Sequence, residues 1–428
     1  MKTQIQKNII IIVSAYSSGA LLTPLFNGRG YTCIHLTTRR EWDIIRLRSY
    51  YREDEFADNF ILESENDIEK IVDKFKKYNI KLIIPGCESG VHLADKLSQY
   101  FDVPKNDYEK SLARRNKFAM IEAIKSNQLL HADQIKSTDL QSILEWFYAN
   151  KNKYKKIVLK PLSSSSSDGV FYCDNHSDII KAFAAIYKHR DMYNETNHEV
   201  LAQQFLDGDE YIINTVSRDG RHHVTDIWKG VSKDKTLVSN DSYADYLFPK
   251  TDEHNVLSEY VKNVLDALGI CNGPAHSEVR LTSRGPCLIE TGTRLAGKVN
   301  FSIVEEICGA SQISLTAEAY LEPEIFKSKI DLDFTSTMNK FARYVYFSSQ
   351  LDGIVKHDPC FEELLQIESL ASLHFVLSRG DRLQKTSKTM RSPRPGYAYL
   401  VSHDLQKLEK DYQALRQAEL NLYQAMVS

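Results

Sequence analysis

The feature that most constrains this chain is a predicted hairpin over residues 277–294 that carries two acidic side chains. Glu278 and Glu290 each stand among strand-forming residues, and Arg294 follows four positions after the second glutamate. Acidic residues are disfavoured within strands, and a buried carboxylate is costly unless a cation compensates it. Two carboxylates together with substrate phosphates are a typical Mg²⁺ site, whereas Arg294 is the alternative partner in a structural salt bridge. The hairpin therefore predicts either a metal site or an ion pair.

Length and composition indicate a globular protein with several subdomains. The chain has 428 residues, of which 42% are hydrophobic and 26% charged, and its formal net charge is -3. This length exceeds one ordinary domain, so two or three subdomains are expected. A nearly neutral charge gives no reason to expect a nucleic-acid or membrane-surface partner.

Cysteine usage and the apolar runs favour the cytoplasm. The seven cysteines are odd in number, widely spaced and without a Cys-x-x-Cys pair, which argues against a disulfide framework and a zinc site. The apolar run at residues 9–13 is too short for a signal peptide, and no stretch approaches the length of a membrane span. We therefore expect a cytoplasmic protein with buried free thiols.

The first part of the chain, residues 1–110, has the pattern of an α/β domain. Its predicted strands lie at residues 9–13, 31–36 and 81–86. The first of these is a continuous β-branched run, which is typical of a parallel strand buried on both faces. Strands that alternate with helices predict a parallel sheet, and ligands gather at the carboxyl ends of such strands. We therefore expect the loops 14–19 and 86–90 to lie near a ligand.

The sequence pattern of the rest of the chain predicts an α+β region followed by a smaller subdomain. Residues 111–325 contain predicted strands joined by turns at Asp207-Gly208 and Arg218-Asp219-Gly220, then an amphipathic helix and the acidic hairpin. Residues 326–428 predict further strands and a final helix, which we interpret as a carboxyl-terminal subdomain that packs on the central block.

A serine-rich loop follows a predicted strand that ends at Lys160. The loop, residues 163–169, ends in Asp168-Gly169 and contains four consecutive candidates for phosphate binding: Ser164, Ser165, Ser166 and Ser167. Small residues let backbone amides approach phosphate oxygens, and Lys160 adds a positive charge. No Gly-Lys-Ser/Thr sequence ends the loop, so it is not a Walker motif. A flexible loop is the alternative interpretation when the run is taken alone.

The next predicted strand supplies candidates for binding a nucleotide base and ribose. Gln203, Phe205 and Leu206 have the arrangement of an adenine hinge, in which backbone groups meet the purine edge and apolar side chains cover the ring. Glu210 follows a turn, where its carboxylate is placed to accept the ribose hydroxyls. The alternative is a half-buried strand followed by an ordinary surface turn.

The neighbouring residues His222 and His223 are poor candidates for a metal site. Adjacent residues on a strand point to opposite faces of the sheet, so the two rings do not readily chelate one ion. A structural role or a place at the edge of a substrate site is favoured instead.

Taken in order, these motifs resemble the ATP-grasp superfamily, and within it the carboxylate–amine ligases related to L-amino acid ligases. The resemblance covers nearly the whole chain and rests most on the following segments: Ser17-Ser18-Gly19-Ala20, Gly86-Cys87-Glu88-Ser89-Gly90, Asp209-Glu210-Tyr211, Gly273-Pro274-Ala275-His276-Ser277-Glu278 and Ile289-Glu290-Thr291-Gly292-Thr293-Arg294. It implies an ATP-grasp fold with a Rossmann-like amino-terminal domain, central ATP-grasp subdomains and a carboxyl-terminal subdomain.

The resemblance also implies a role for each candidate residue. Lys117 and Lys160 would contact ATP phosphates and the adenine side, under a mobile lid formed by the serine loop. Mg²⁺, or Mn²⁺ in its place, would be held by Glu278 and Glu290, and Arg294 would stabilise the acyl intermediate. Lys160 and Arg294 would be the catalytic cations. The implied adenine hinge and ribose site comprise Gln203, Phe205, Leu206 and Glu210, and the implied substrate site comprises Trp228, His276, Arg294 and Gly297.

Two positions depart from the family pattern. Many ATP-grasp enzymes have asparagine two residues after the second metal glutamate, where this chain has Gly292, so the number of protein ligands to a second Mg²⁺ is open. The hinge begins with Gln203, where a glutamate is common.

The resemblance implies an ATP-dependent ligase that joins an amino-acid carboxylate to an amine through an acyl phosphate. Two alternatives stay open: an ATP-grasp ligase or carboxylase with a different acceptor, and an ATP-binding module without turnover. A polar insert at 232–252, with Tyr243 and Tyr246, is expected to loop over the site. A homodimer is common in this superfamily and is the expected assembly if the chain associates.

Overall fold

The computed structural model describes most of the chain, and its described residues are 8–44, 50–232, 242–248, 251–297, 299–330, 339–386 and 394–428. Most of the predicted insert at 232–252 therefore lies outside the described residues. Within these ranges, no helix is long and apolar enough to cross a membrane.

The amino-terminal region is built on a four-stranded parallel sheet in the order β3-β2-β1-β4. The strands are β1 Asn8–Val13, β2 Thr32–Thr38, β3 Asp58–Leu62 and β4 Asn79–Pro85. Its helices are α1 Leu22–Gly28, α2 Arg39–Trp42, α3 Ile68–Phe75 and α4 Val91–Ser98. Ile9 and Ile11 pack into one core cluster and Ile10 and Ile12 into another, which confirms that β1 is buried on both faces. The sequence missed β3, while β1, β2 and β4 were predicted.

Glycines let the loops after β1 and β4 pack directly on each other. An ideal Cβ on Gly19 would lie 2.3 Å from Gly86 Cα, and one on Gly90 would lie 2.4 Å from the Val13 carbonyl oxygen. A side chain at either position would force backbone apart. The 3-10 turn Glu88–Gly90 that follows β4 is thereby held at the carboxyl end of the sheet.

A second, antiparallel sheet carries the serine loop. Its order is β5-β8-β6-β7, with β5 Gln134–Ser137, β6 Ile157–Lys160, β7 Phe171–Cys173 and β8 Val200–Gln204. Helices α6 Leu140–Ala149 and α7 His176–Ile186 cover it, and α5 Lys117–Ser126 precedes it in the chain. The serine loop joins β6 to β7, so Lys160 ends β6 at the mouth of the loop.

The largest sheet has eight strands in the order β13-β12-β9-β10-β11-β14-β18-β16, and all the pairings are antiparallel. Its strands are β9 Gly208–Arg218, β10 Arg221–Val231, β11 Tyr243–Tyr246, β12 Gly273–Thr282, β13 Gly285–Gly292, β14 Phe341–Tyr346, β16 Leu370–Phe375 and β18 Gly396–Ser402. The separate short pair is β15 Gly353–Ile354 with β17 Arg382–Leu383. Strands of the carboxyl-terminal region thus continue the central sheet, and the boundaries at 110 and 325 stay predictions.

Helices cover both sides of the large sheet. The remaining helices are α8 Asp252–Ala267, α9 Phe301–Cys308, α10 Gln312–Leu321, α11 Pro323–Ile330, α12 Glu362–Leu365 and α13 Leu405–Val427. α5 and α8 share an apolar core with Tyr211 and Ile213 of β9 and Val279 of β12. Alternate residues of these strands therefore face away from that core, and they include Glu210, Asn214 and Glu278.

The two predicted turns connect their strands in different ways. Asp219 and Gly220 join β9 to β10 with φ values of 50° and 75°, as a tight hairpin requires. Asp207-Gly208, in contrast, joins β8 to β9, which belong to different sheets. A Cβ on Gly208 would lie 2.2 Å from the Leu281 carbonyl oxygen, so the glycine serves a close backbone approach and not a hairpin.

Candidate active site

The two acidic residues face each other across neighbouring strands, as predicted. Glu278 of β12 pairs in register with Glu290 of β13, and His276 pairs with Gly292. Residues two apart on a strand share a face, so His276 and Glu278 point to the same side of the sheet. His276 Nε2 lies 3.8 Å from Glu278 Oε1. The hairpin thus gathers both carboxylates and an imidazole on the side away from the α5–α8 core.

Two lysines from other elements lie beside the second glutamate. Lys117, the first residue of α5, places Nζ 2.9 Å from Glu290 Oε2, and also donates a hydrogen bond to the Ser164 carbonyl oxygen. Lys160 is only 4% exposed at the end of β6. Because Lys117 contacts both Glu290 and the serine loop, it links the acidic hairpin to the loop predicted to hold phosphates.

The pKa values of this cluster show how strongly its charges interact. Burial, and then the nearby Lys117 ammonium, lower the pKa of Lys160 to about 8. Burial alone would raise the pKa of Glu290, but Lys117 and Lys160 outweigh it and bring this pKa to about 2. Glu290 is therefore a carboxylate at neutral pH, and the lysine pair gains from an additional anion such as a polyphosphate.

The serine loop is fixed at its two ends and exposed at its tip. Ser164 Oγ donates to Asp168 Oδ2 at 2.8 Å, and Ser165 hydrogen-bonds to the Tyr193 hydroxyl. Ser166 and Ser167 are exposed, with φ values of 55° and 56°. A tip of small residues with left-handed backbone suits close approach of backbone amides to an anion.

The predicted adenine hinge contains one ring held between two cations. Lys156 Nζ lies 5.0 Å from the centroid of Phe205, and the Arg280 guanidinium lies 5.3 Å from it. Gln203 is buried and donates to Gln134 Oε1 at 3.0 Å. Leu206 packs in a small core cluster with Ala132 and Cys287. Of the three hinge candidates, Phe205 has the side chain that is partly exposed.

Glu210 has an arginine partner that the sequence analysis missed. Arg280 Nη2 lies 2.6 Å from Glu210 Oε2, and Arg280 Nη1 donates to the Gly208 carbonyl oxygen at 3.0 Å. Burial raises the pKa of Glu210 to about 7 despite this partner. The signal was available, because Arg280 lies two residues after Glu278 and therefore shares its face.

Arg294 reaches the site as part of an arginine–glutamate–arginine bridge between regions distant in sequence. Glu88, in the turn after β4, accepts from Arg115 Nη1 at 2.8 Å and from Arg294 Nε at 3.0 Å. Burial alone would raise the pKa of Glu88, but the two guanidinium groups outweigh it and hold the pKa below its usual range. Arg115 also lies over the Tyr193 ring at 5.5 Å, so it touches the wall of the serine loop.

Glu88 and Arg115 were not among the predicted site residues. Glu88 was part of a recognised motif, but its partners are far away in the sequence. The available signal for Arg115 was its place just before Asn116, whose side chain accepts a hydrogen bond from Ala119 N and caps α5. A basic residue at a helix start next to Lys117 is compatible with an anion site.

The predicted substrate residues separate into two groups. His276, Arg294 and Gly297 lie near the acidic hairpin or the amino-terminal loops; an ideal Cβ on Gly297 would lie 4.0 Å from Ser17 Oγ. Trp228 is 5% exposed and packs with Tyr246 in an aromatic core cluster. Among the described residues, Trp228 is linked to the charged cluster only indirectly, since its indole N–H donates to Asp226 Oδ2 at 2.8 Å, and Asn214 connects Asp226 to His276.

Tyr243, the other candidate from the predicted insert, also lies apart from the charged cluster. Its ring contacts the Arg343 guanidinium at 3.9 Å and the Tyr412 ring at 4.9 Å, which places it in the carboxyl-terminal region of the sheet.

The donor set fits a Mg²⁺ ion that is shared with substrate phosphates. Among the described residues, no group of three or more His, Cys, Asp or Glu side chains is arranged to hold a metal by itself. Glu278 and Glu290 form a pair of carboxylates, and Mg²⁺ is usually bound by one or two carboxylates with phosphates and waters. The paired glutamates therefore match such a site better than a closed all-protein cage.

Comparisons of the sequence and of the fold with known proteins point to the same protein family. The family described as "ATP-grasp domain" matches residues 154–301, which include β6, the serine loop and the acidic hairpin. The chain is 32% identical to dapdiamide A synthase of Enterobacter agglomerans, over 97% of each protein. It is 22% identical to the L-arginine-specific L-amino acid ligase of Bacillus subtilis, over 70% of each.

A solved structure extends the fold comparison to the whole chain. The crystal structure of L-amino acid ligase from Bacillus licheniformis matches with a TM-score of 0.73 and 19% identity, covering 96% of this chain and 98% of that one. The predicted arrangement of a Rossmann-like parallel sheet followed by antiparallel ATP-grasp sheets is thus confirmed.

Proposed function

Because the chain belongs to the ATP-grasp family of carboxylate–amine ligases, we propose that its substrates are amino acids. One amino acid supplies the carboxylate and an amine, usually that of a second amino acid, becomes the acceptor. The relatives support this class, since one is described as a dapdiamide synthase and another as an L-amino acid ligase. The reaction releases ADP and phosphate and forms an amide bond.

The observation that carries the proposal is the contact between Lys117 and Glu290 beside Glu278. Lys117 Nζ lies 2.9 Å from Glu290 Oε2, and Glu278 pairs with Glu290 across the hairpin. A polyphosphate needs cations and a divalent metal needs carboxylates, and this cluster supplies both side by side. Lys160 adds the second protein cation.

The proposed reaction has two steps with balanced bonds. A carboxylate oxygen of the first substrate attacks the γ-phosphorus of ATP, and the bond from that phosphorus to ADP breaks. The amine nitrogen of the second substrate then attacks the acyl carbon, loses a proton, and displaces phosphate. Little covalent chemistry falls to the protein, which positions the substrates and neutralises charge.

Named residues take distinct parts in these steps. Mg²⁺ bound by Glu278 and Glu290 would neutralise phosphate charge. Lys117 and Lys160 bind phosphate oxygens, Glu210 binds the ribose, and Phe205 covers the adenine. The serine loop, tethered by Asp168 and Tyr193, excludes water that would hydrolyse the acyl phosphate.

Arg294 stabilises charge on the acyl oxygen from its place beside Glu88.

We also propose that the enzyme works in the cytoplasm. Its seven cysteines are all free thiols, which suits a reducing compartment. An ATP-dependent enzyme also needs a compartment that contains ATP, as the cytoplasm does.

The test measures ADP released by the purified full-length chain. Mg-ATP is offered with each of the twenty amino acids alone and then in pairs, and products are identified by mass spectrometry. We expect at least one pair to stimulate ADP release in proportion to a dipeptide or other amide product. Nucleotide binding without stimulation by any pair would instead favour the ATP-binding module, and an amide formed with a non-amino-acid acceptor only would favour the other ligase class.

A matched pair of variants separates the chemistry from folding in this assay. Glu290→Gln removes one carboxylate of the acidic pair and is expected to lower turnover more than a hundredfold. Glu259→Gln, on the exposed face of α8, changes the same group away from the site and is expected to keep wild-type turnover. Full turnover in Glu290→Gln would contradict the metal assignment.

A further inference from the structure

Arg115 lies between the serine loop and the bridge that reaches Arg294. Its Nη1 donates to Glu88 Oε1 at 2.8 Å, and its Nη2 donates at 3.2 Å to the carbonyl oxygen of Ser163, the first residue of the serine loop. The same guanidinium lies over the ring of Tyr193. One planar side chain therefore contacts both the loop proposed to cover phosphates and the turn that follows β4.

Tyr193 gives Arg115 a second connection to the serine loop. The Tyr193 hydroxyl hydrogen-bonds to Ser165 Oγ at 2.5 Å, and the backbone N–H of Met192 donates to Asp168 Oδ2 at 2.6 Å. Tyr193 is 4% exposed, so its ring is packed in place between the loop and the guanidinium. A displacement of the serine loop therefore disturbs contacts on two sides of Arg115.

Glu88 connects the position of Arg115 to that of Arg294, because its two carboxylate oxygens are divided between them. Oε1 accepts from Arg115, and Oε2 accepts from Arg294 Nε at 3.0 Å. A carboxylate that is bound at both oxygens does not turn without lengthening one of its charge-assisted hydrogen bonds. The three side chains thus form a continuous chain of contacts from the serine loop to the arginine proposed to stabilise the acyl intermediate.

The neighbouring Arg114 shows how a purely structural arginine is arranged in this chain. It is 0% exposed, its Nε and Nη2 both donate to Asp95 Oδ2, and its Nη1 donates to the Leu268 carbonyl oxygen. The three side chains of the Arg115 bridge, in contrast, remain 13%, 14% and 15% exposed. The bridge therefore keeps contact with solvent at the edge of the candidate site, whereas Arg114 is fully enclosed.

We propose that Arg115 is a positioning residue that couples the serine loop to Arg294 through Glu88, so that closure of the loop over a nucleotide stabilises Arg294 in its observed position. The inference rests on the proposed function for the nucleotide and for the role of Arg294. Coupling between two sites is a free energy that acts in both directions. A carboxylate substrate that binds beside Arg294 therefore also strengthens binding of the nucleotide under the loop.

Two lysine substitutions separate this coupling from folding. Arg115→Lys keeps a positive charge beside Glu88, but one ammonium group does not contact the carboxylate, the loop carbonyl and the aromatic ring at once. Arg40→Lys is the matched control. Arg40 forms an ion pair with Glu195, in the same segment as Tyr193, but the two side chains are 41% and 42% exposed. Exposed pairs of this kind contribute little.

The first experiment measures hydrogen exchange of the full-length protein by mass spectrometry and needs no turnover. Saturating Mg²⁺ and the non-hydrolysable ATP analogue β,γ-imido-ATP are added to each protein. In the wild-type chain the nucleotide is expected to slow exchange by about fivefold or more, both at residues 163–169 and at residues 86–90. In Arg115→Lys only residues 163–169 are expected to gain this protection, and Arg40→Lys is expected to match the wild type.

Three outcomes of the exchange experiment would overturn the proposal. The first is a wild-type chain in which the nucleotide leaves residues 86–90 unprotected. The second is equal protection of residues 86–90 in Arg115→Lys and in the wild type. The third is loss of protection from both segments in Arg115→Lys, which would make Arg115 a nucleotide-binding residue instead of a positioning residue.

The second experiment measures the coupling itself, with the carboxylate substrate selected by ADP release. In the wild type this amino acid is expected to lower the Kd of β,γ-imido-ATP about tenfold. In Arg115→Lys the effect is expected to fall below about twofold, while the Kd without amino acid changes by less than about threefold. An unchanged effect of the amino acid would overturn the proposal. Should Arg115→Lys not fold, Tyr193→Phe, which loses the hydrogen bond to Ser165, takes its place with an expected effect of about threefold.

Failure of the inference and failure of the proposed function give different results. If no amino acid stimulates ADP release, the substrate class is wrong, while the exchange at residues 86–90 still decides whether the serine loop is coupled to the turn after β4. If ADP release is stimulated and Arg115→Lys protects residues 86–90 as the wild type does, the ligase proposal stands and the coupling is wrong.

Discussion

Gly292 and Glu88 approach so closely that any side chain at position 292 would displace the Glu88 carboxylate. An ideal Cβ on Gly292 would lie 2.6 Å from Glu88 Oε2 and 3.2 Å from the guanidinium carbon of Arg294. At the position where many ATP-grasp enzymes have asparagine, this chain has a glycine that lies against a carboxylate from the amino-terminal region. The absence of a side chain at position 292 therefore leaves room for the contact between Glu88 and Arg294.

Gly292→Ala is expected to separate Glu88 from Arg294 and to lower turnover at least tenfold. The new methyl group meets the Glu88 carboxylate, and a shift there disturbs a buried charge pair. Amino-acid-stimulated ADP release measures the effect. Gly28→Ala is the control, since a Cβ at Gly28 meets nothing within 4 Å. Wild-type turnover in Gly292→Ala would show that the Glu88–Arg294 contact is dispensable.

Glu278→Gln is expected to raise the Mg²⁺ concentration needed for half-maximal turnover by about tenfold or more. An amide in place of a carboxylate removes a negative charge that the hard cation requires. The measurement is a Mg²⁺ titration at fixed ATP, with EDTA as the zero point. Glu259→Gln on α8 supplies the comparison. An unchanged Mg²⁺ dependence would remove Glu278 from the metal site.

Phe205→Ala is expected to weaken ATP binding by about 1–3 kcal/mol, the range measured for stacking of a base on an aromatic ring. Phe205 presents a partly exposed ring between Lys156 and Arg280, and its loss leaves the adenine face uncovered. The KM for ATP and calorimetric ADP binding report the change. Tyr148→Ala removes an exposed ring from α6, away from the hinge, and is expected to leave both values unchanged. If Phe205→Ala binds ATP as tightly as the wild-type protein, Phe205 is not part of the adenine site.

The free energy of unfolding is expected to fall as the pH drops from about 6.5 to 4, in part because of His35. Burial lowers the pKa of His35 to about 4, and its Nε2 accepts a hydrogen bond from Ala15 N at 3.1 Å. In this interval the unfolded chain binds a proton that the folded chain does not, so stability present above pH 6.5 is lost as the pH falls. The full loss is on the order of 3 kcal/mol.

The His35 contribution is isolated by comparison with His35→Gln. Denaturant unfolding at several pH values gives the slope for each protein, and the difference between the slopes belongs to His35. The glutamine variant is expected to lose less stability between pH 6.5 and 4. Identical slopes would mean that His35 is already accessible to protons in the folded protein.

Most of the candidate site could be predicted from patterns among residues that are close in the sequence. Glu278 and Glu290 belong to one hairpin, so alternation along two neighbouring strands was enough to predict that they meet. Lys160 was placed correctly at the start of the serine loop, because a strand and its following loop are also close in sequence. Contacts of this kind follow from the period of a strand.

Long-range pairing limited what the sequence could show. Glu88 and Arg294 are 206 residues apart, and their contact depends on how the parallel sheet docks against the large one. β3, Asp58–Leu62, starts with polar residues at a half-exposed edge, so its pattern is weak. The continuation of the large sheet into β14, β18 and β16 depends on pairing with β11, which no local pattern encodes.

The order of strands in the large sheet also affects how this protein is made. β11 pairs with β14, and β14 pairs with β18, so in the sheet that bears Glu278 and Glu290 the inner strand β14 lacks its partner until Ser402 has left the ribosome. Unpaired strand edges attract strands of other chains. A nascent chain that stalls after the acidic hairpin would therefore carry Glu278, Glu290 and Arg294, the residues proposed for metal and acyl-intermediate binding, and still be prone to aggregate.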